Sequence, residues 1–323
     1  MKKKIYLDSS AFSSLTCPRA FELMVRKGLV PLDGGLANNH KVQYGSAFHL
    51  FISHWYNTYD VDASIARAIK CYSQVSIPEK DFRTVGHLVS VCTAYLDTYG
   101  KSDWIEPIRL KSGKPFVEYT FKFVIYEDDE LVIILFGKID LVGKFKGKVI
   151  VTDHKTTAAY NPVEYLEGYQ LSSQMMLYTW VLSKTAELIA RNKRSVLSKD
   201  DMKLAESFRN PYAVIDGIFL QKPSIRNENN PPARFLRSEI IDYSSKRGMF
   251  WSLLCARIND IVRWEREGYS KDGMLNKSCD GKWGKPCMFH KACKQTAPED
   301  EQAILDTEFN FLAYDEKRLE ESE

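Results

Sequence analysis

Between Phe116 and Asp153 the chain carries three successive runs of strand character, and this block constrains the fold more than any other stretch. Residues 116–126 alternate and are rich in β-branched and aromatic types, and 131–143 and 148–153 follow them. The acidic Glu127-Asp128-Asp129-Glu130 and the pair Lys146-Gly147 read as the intervening turns. Helical patterns flank the block. Residues 9–27, with Ser and Asp at their start for capping, 44–59 and 61–100 read as helix, the last broken near Pro78. Downstream, 165–190 and 244–267 read as helices, and 213–221 and 234–241 as further strands. The order predicts an α/β mixed-sheet core behind an N-terminal helical region, with an irregular Gly-, Lys- and Cys-rich segment at 276–294.

The other classes are excluded by simple arguments. At 323 residues, 44% hydrophobic and 27% charged, the chain suits a soluble globular protein with a buried core. Its longest apolar run, Leu131 to Phe136, is far too short to span a bilayer, so no membrane partner is expected. Met1-Lys2-Lys3-Lys4 has the charge of an export signal, but Asp8-Ser9-Ser10 cuts off the apolar stretch that should follow. A reducing cytoplasm is therefore expected, where seven Cys serve as ligands or core residues rather than as disulfides. The net charge of +3 divides unevenly: ten acids and two bases fall within 299–323, leaving +11 for residues 1–298. A basic body suits a polyanion, although charge alone fits a soluble surface with a solvated acidic tail equally well. The expected divisions are an N-terminal helical region at 1–113, a core at 114–270, a Cys-rich segment at 271–298 and the acidic tail at 299–323.

Strand alternation puts Asp153 and Lys155 on one face and His154 on the other. Asp140 belongs to the neighbouring strand, so two carboxylates and a lysine can converge at one edge of a small sheet. Hard oxygen ligands of this kind suit Mg²⁺ or Mn²⁺, and a lysine beside the metal can orient an attacking water. For a lone Asp-x-Lys the plain alternative, a turn carboxylate with a solvated lysine, is the commoner case. A lone His49 on an aromatic helix is likewise more often a packed residue than a ligand, and His54 reads as structural. Gln174 and Tyr178 share a helix face at i and i+4, with Gln170 on the same stripe.

Along the chain Gly45-x-x-x-His49 comes first, then the strand Glu118, Gly-x-Ile-Asp140, Asp153-x-Lys155-Thr-Thr and Gln174-x-x-x-Tyr178. These motifs, in this order, resemble the RecB-like branch of the PD-(D/E)XK nuclease superfamily. Ser9-Ser10-Ala-Phe-Ser-Ser-Leu-Thr-Cys17-Pro18-Arg19 looks like that branch's opening motif. The resemblance implies a restriction-endonuclease-like core, a mixed central sheet flanked by helices. It makes His49, Asp140 and Asp153 metal ligands together with the main-chain carbonyl of His154, and Lys155 the catalytic lysine. Gln174 and Tyr178 would contact DNA, and Glu118 would sit in support behind the ligands. Ile139 stands where the superfamily name has Pro, and the acid before the lysine is Asp.

Cys279-x₇-Cys287-x₅-Cys293 lies far from Cys17 in sequence. In the iron–sulfur members of this branch, which include CRISPR-associated and AddB-like exonucleases, one N-terminal Cys and a C-terminal trio hold a 4Fe–4S cluster. Four thiolates match that cluster's ligation. The spacing departs from the branch's commonest form, which has two residues between the first two Cys of the trio, and Gly281 and Gly284 fall in the longer gap. Zinc held by Cys279, Cys287, His290 and Cys293 is the alternative. Cys71, Cys92 and Cys255 read as core thiols.

The expected function is a divalent-metal-dependent deoxyribonuclease, an exonuclease on single-stranded DNA, in the cytoplasm of a bacterial, archaeal or phage-infected cell. Aromatic residues of a helical roof at 44–105 would stack bases. No Gly-x₄-Gly-Lys-Ser/Thr sequence is present, so a separate helicase or recombination partner is expected. A DNA-end-binding or scaffolding subunit of a helicase–nuclease complex is the alternative function. An iron–sulfur electron carrier would not need the Asp, Lys, His and Gln set.

Overall fold

Hydrogen bonding through one long strand organises the chain. The computed structural model describes residues 2–32, 39–100, 105–110, 112–191, 199–223, 230–271, 279 and 286–311. Strand β1 (Lys3–Leu7) leads to the short helices α1 (Ala11–Ser14) and α2 (Pro18–Phe21), a π-helical turn at Glu22–Arg26 and strand β2 (Leu29–Pro31). Helices α3 (His40–Thr58), α4 (Val61–Tyr72) and α5 (Val85–Tyr99) follow, then strands β3 (Glu106–Pro107), β4 (Val117–Glu127), β5 (Leu131–Phe145) and β6 (Lys148–Thr157). Helices α6 (Pro162–Glu167), α7 (Ser173–Arg191) and α8 (Lys199–Ser207) precede strands β7 (Tyr212–Leu220) and β8 (Ala233–Arg237). Helices α9 (Arg247–Glu267), α10 (His290–Cys293) and α11 (Pro298–Glu308) and strand β9 (Phe309–Phe311) complete the order.

The helix boundaries have local causes. The stretch expected as one helix over 9–27 is broken because Pro18 has no N–H to donate, and Cys17 before it takes an extended backbone (φ −142°, ψ 118°). Asp8 Oδ1, rather than a serine hydroxyl, accepts from the Ala11 N–H at the start of α1. Asn39, Asp60 and Thr84 cap α3, α4 and α5 through side-chain oxygens. The Thr84 cap restarts the chain after the break around Pro78, so the expected helix 61–100 is two helices.

Contacts divide the chain into two units, and β4 and β5 each run from one into the other. One comprises Met1–Asn38, Thr120–Gly137 and Met249–Glu323. There β1 runs parallel to the first half of β5, from Lys3 opposite Leu131 to Leu7 opposite Leu135. Tyr6, Val132, Ile134 and Phe136 form a small apolar cluster on this pair. Strands β2 and β9 form a separate antiparallel pair, and Leu23, Phe289, Ala292, Leu305 and Phe309 pack into a second cluster. The acidic segment from residue 299 is thus not wholly solvated: it enters α11, where Glu301 is buried, and continues into β9. Residues 312–323, like Gly281 and Gly284, lie outside the described residues.

The other unit comprises Asn39–Tyr119 and Lys138–Gly248. Its sheet joins the second half of β5 antiparallel to β6, β6 parallel to β7, and β7 antiparallel to β8. Lys146 and Gly147, both with positive φ (48° and 75°), make the two-residue turn of the β5–β6 hairpin, whose hand matches strand twist. One face of the sheet offers Leu141, Ile150, Val214 and Ile218, and α3, α4 and α5 cover it with Phe48, Phe51, Tyr72, Val91 and Tyr95. This is the mixed sheet flanked by helices that the sequence predicts, reached with a β1 and an α8 that the sequence did not announce. Among the described residues no helix is long and apolar enough to cross a membrane.

Glu301, on α11, joins α2 and the segment after α9 in the first unit. It accepts from the Arg19 guanidinium and lies 2.8 Å from Lys271 Nζ. Burial raises its pKa, but Lys271 and Arg19 outweigh that and hold it below the ordinary carboxylate range. The ion pairs therefore stabilise the fold above the unfolded carboxylate pKa and are lost as pH falls through the depressed folded value. We expect Glu301→Gln to cost about 1–3 kcal/mol at pH 7, because it leaves two cations short of their shared anion. Denaturant unfolding at pH 7 and at pH 3 checks this: the gap between variant and wild type should shrink at the acid pH.

Candidate active site

The site lies where two ladders of β6 end at different places. Against β5 the last registered pair is Leu141 with Thr152, whereas against β7 pairing continues to Thr157. Beyond Thr152, the main-chain N–H of His154 therefore donates to a side chain, Asp140 Oδ2, at 2.8 Å. Alternation along β6 turns Asp153 and Lys155 one way and His154 the other. Lys155 Nζ stands 2.7 Å from Asp153 Oδ2. The His154 ring is buried, with Nδ1 3.1 Å from Asp216 Oδ2 on β7.

Two further side chains arrive from elsewhere in the same unit. Helix α3 can lie close on β6 because of Gly45, where a Cβ would stand 3.0 Å from Thr156 Oγ1. One turn later His49 Nδ1 comes within 3.5 Å of Asp140 Oδ2. Glu118 on β4 has φ 51°, a left-handed conformation costing a non-glycine residue about 1–2 kcal/mol. Its carboxylate faces Lys138 Nζ at 3.0 Å. Ligand atoms of His49, Glu118 and Asp140 all lie within 4.8 Å of one another.

The charges are mutually dependent. Burial works against a charge on His49, but Asp140, then Glu118, raise its pKa to about 9. Burial would also raise Asp140, yet His49, His154 and Lys155 bring it well below the ordinary value. Asp153 is pushed up, by burial first and by Asp140 against the opposing pull of Lys155. Burial opposes the charge on Lys155, but Asp153 and Asp140 prevail and its pKa rises. Burial and the Asp140 charge push Glu118 up as well. A histidine nitrogen and several carboxylate oxygens form a donor set suited to Mg²⁺ or Mn²⁺. Asp153 Oδ2 is buried, and the Lys155 ammonium is the partner that faces it, so its charge is directed into the site.

The family model of the PD-(D/E)XK nuclease superfamily matches residues 9–294. The chain belongs to that superfamily. No curated protein matches it. PD-(D/E)XK proteins are nucleases that use divalent metals, and in this one the group of His49, Glu118 and Asp140 is the candidate metal site.

The structure gathers some of the residues singled out in the sequence and separates others. Glu118, expected in support behind the ligands, groups with His49 and Asp140, while Asp153 is engaged with Lys155. Gln174 and Tyr178 are joined by a hydrogen bond from Gln174 Nε2 to the Tyr178 hydroxyl, 2.9 Å, and Tyr178 is buried. The aromatic roof expected to stack bases is largely core: Tyr44, Phe48, Phe51, Trp55, Tyr56, Tyr72 and Tyr95 are all buried. Such side chains have no free faces, because α3–α5 need them to cover the sheet. His54 bonds Ser64 Oγ at 2.8 Å, a structural contact. Only Cys92 of the three expected core thiols is fully buried, Cys71 and Cys255 being half-buried. In the other unit Cys17, Cys279, Cys287 and Cys293 line one cavity of about 210 Å³ together with His290. Sequence reasoning missed Asp216 and Arg237, although a charged residue inside the apolar run of β7 was a visible signal.

Glu118 gives the test of this electrostatic reading. A folded pKa above the ordinary value means that its ionised form opposes folding at neutral pH. Glu118→Gln should therefore raise the Tm of the metal-free protein and reduce the further rise produced by Mn²⁺. In the wild type that rise should grow with pH up to about 9, as His49 gives up its proton to become a ligand. Thermal melts with and without cation across pH 6–9 measure both effects.

Proposed function

We propose that this PD-(D/E)XK protein is a Mg²⁺- or Mn²⁺-dependent deoxyribonuclease of the RecB-like branch, acting as an exonuclease on single-stranded DNA ends. The observation that carries the reading is the convergence of His49, Glu118 and Asp140 within 4.8 Å, with the Asp153–Lys155 pair on the adjoining strand. His49, Asp140, Asp153 and the main-chain carbonyl of His154 would hold the cation, joined by Glu118. The bound divalent cation supplies Lewis-acid charge for in-line attack of water on a phosphodiester. Lys155 keeps its proton, since Asp153 and Asp140 raise its pKa against burial. It therefore serves as a fixed positive charge that receives the scissile phosphate and orients the water, and not as the base. Gln174, half-buried on α7 and held by Tyr178, would meet the DNA backbone beside the site. A helicase or recombination partner would supply the single strand.

Asp140→Ala, Asp153→Ala and Lys155→Ala should each lower cleavage of end-labelled single-stranded DNA by about a thousandfold or more, losing groups that act on the transition state. Affinity for DNA, which comes from many phosphate contacts, should change little. Near wild-type cleavage by any of the three overturns the site. Comparison of linear single-stranded, blunt duplex and covalently closed circular DNA tests the exonuclease reading, which rapid cutting of circles would sink.

In the other unit we propose a 4Fe–4S cluster on Cys17, Cys279, Cys287 and Cys293. Supporting it, all four thiols line one cavity, and Cys17 reaches it from the extended N-cap position of α2. Four thiolates satisfy that cluster's ligation. Burial raises the Cys287 and Cys293 pKa values, so both carry protons until an iron or zinc ion draws out the thiolate. His290 on the same cavity wall favours a second reading, zinc on Cys279, Cys287, His290 and Cys293. Anaerobically purified protein should be brown, with about four iron and four sulfide per chain, and Cys17→Ser should bleach it and lower its Tm. Colourless protein with one zinc, unchanged by Cys17→Ser, decides for zinc.

A further inference from the structure

Three polar side chains form a row across the inside of the sheet. His154 on β6 is the register partner of Asp216 on β7, and Asp216 is the register partner of Arg237 on β8. The Asp216 carboxylate is fully buried. Its Oδ2 accepts from the Tyr95 hydroxyl at 2.6 Å, and lies 3.1 Å from His154 Nδ1 and 3.4 Å from Arg237 Nη2. The Arg237 guanidinium in turn lies 3.9 Å over the Tyr99 ring. The His154 ring has Tyr56, Tyr95 and His49 around it, with centroids 6.2 to 6.5 Å away.

A buried ion pair is weak support for stability, since well-packed apolar residues do as well or better. The row has another consequence. Asp216 Oδ2 takes the Tyr95 hydroxyl and faces Arg237 and His154 Nδ1 together, so the His154 ring is held by its Nδ1 and its rotation is fixed. His154 is also the residue whose main-chain N–H holds Asp140 Oδ2, two residues beyond Thr152, the last residue of β6 that β5 pairs. Side-chain anchor and main-chain donor belong to the same residue, on opposite sides of the strand.

We propose that Asp216 and the His154 ring are positioning residues for the metal site. Anchored to Asp216, His154 fixes the main chain of β6, whose N–H then sets the Asp140 carboxylate where a cation can take it. This rests on the metal reading given above. Groups that orient ligands without touching the metal typically change its affinity about 10–100-fold.

Two substitutions at one position separate anchoring from packing. His154→Asn keeps an amide N–H near the place of Nδ1 but loses volume, whereas His154→Phe keeps volume and loses the donor. Mn²⁺ binding is read by electron paramagnetic resonance, and exchange of the residue 154 amide by NMR in the metal-free protein. We expect His154→Phe to weaken Mn²⁺ about tenfold or more and to speed amide exchange. His154→Asn, although the less stable in a thermal melt, should stay within about threefold of the wild type. A packing role predicts the reverse order, with affinity following Tm. Wild-type Mn²⁺ binding by His154→Phe, or an equal loss in His154→Asn, overturns the proposal alone. Failure of Asp140→Ala to remove the wild-type Mn²⁺ signal overturns the metal reading and this proposal together.

Discussion

Unequal pairing of β6 on its two sides is the constraint from which the active site follows. Held by β7 as far as Thr157 but by β5 only as far as Thr152, the strand keeps its extended shape while one edge is freed. An extended strand must alternate its side chains. Asp153 and Lys155 are therefore delivered to one face and His154 to the other, without any loop having to be ordered. The freed edge leaves a main-chain donor that a buried strand cannot leave unmet, and Asp140 meets it. A carboxylate that would otherwise rotate is fixed by the same geometry that ends the ladder.

The electrostatics turn on this fixing. Glu118, Asp140 and Asp153 repel one another, and their burial deepens the cost. His49 and Lys155 offset part of it by holding their protons above their ordinary pKa values. Glu118 bears an additional backbone strain at φ 51°. Groups held so against local preference mark a place where rigidity around them has been set against function. Here the surrounding rigidity is visible in the aromatic core beneath α3–α5, which keeps those side chains from a substrate surface.

Much of this was legible in the sequence because it is local. The strand block 116–153, its two turns and the Asp153-x-Lys155 alternation need only neighbours in the chain, and the structure has β4, β5 and β6 there. The Gly45 spacing to His49 was also legible as a motif, and its reason, close approach to Thr156, needed coordinates. What stayed hidden depends on distant pairing. Strand β1 carried no strand signal of its own because its partner, residues 131–135, is remote in sequence. Asp216 and Arg237 are ordinary charges until register places them beside His154. The placement of Glu118 depends on a single left-handed residue, which β propensity cannot reveal.

The same distinction bears on how the cysteine-lined cavity could influence cleavage. All four thiols belong to one unit and every residue of the metal set to the other. The chain itself offers a connection in β5, whose Leu131–Leu135 pair with β1 and whose Leu141–Phe145 pair with β6. Gly137 lies between these ladders, and a side chain there would collide with the Phe121 ring, 2.7 Å from where its Cβ would be. Asp140 is three residues further along the same strand. Loosening the first ladder would therefore reach the metal set by fraying one continuous strand, with Lys138 and its ion pair to Glu118 the first element of the site to be affected. Coupling of this kind depends on the local stability of one strand.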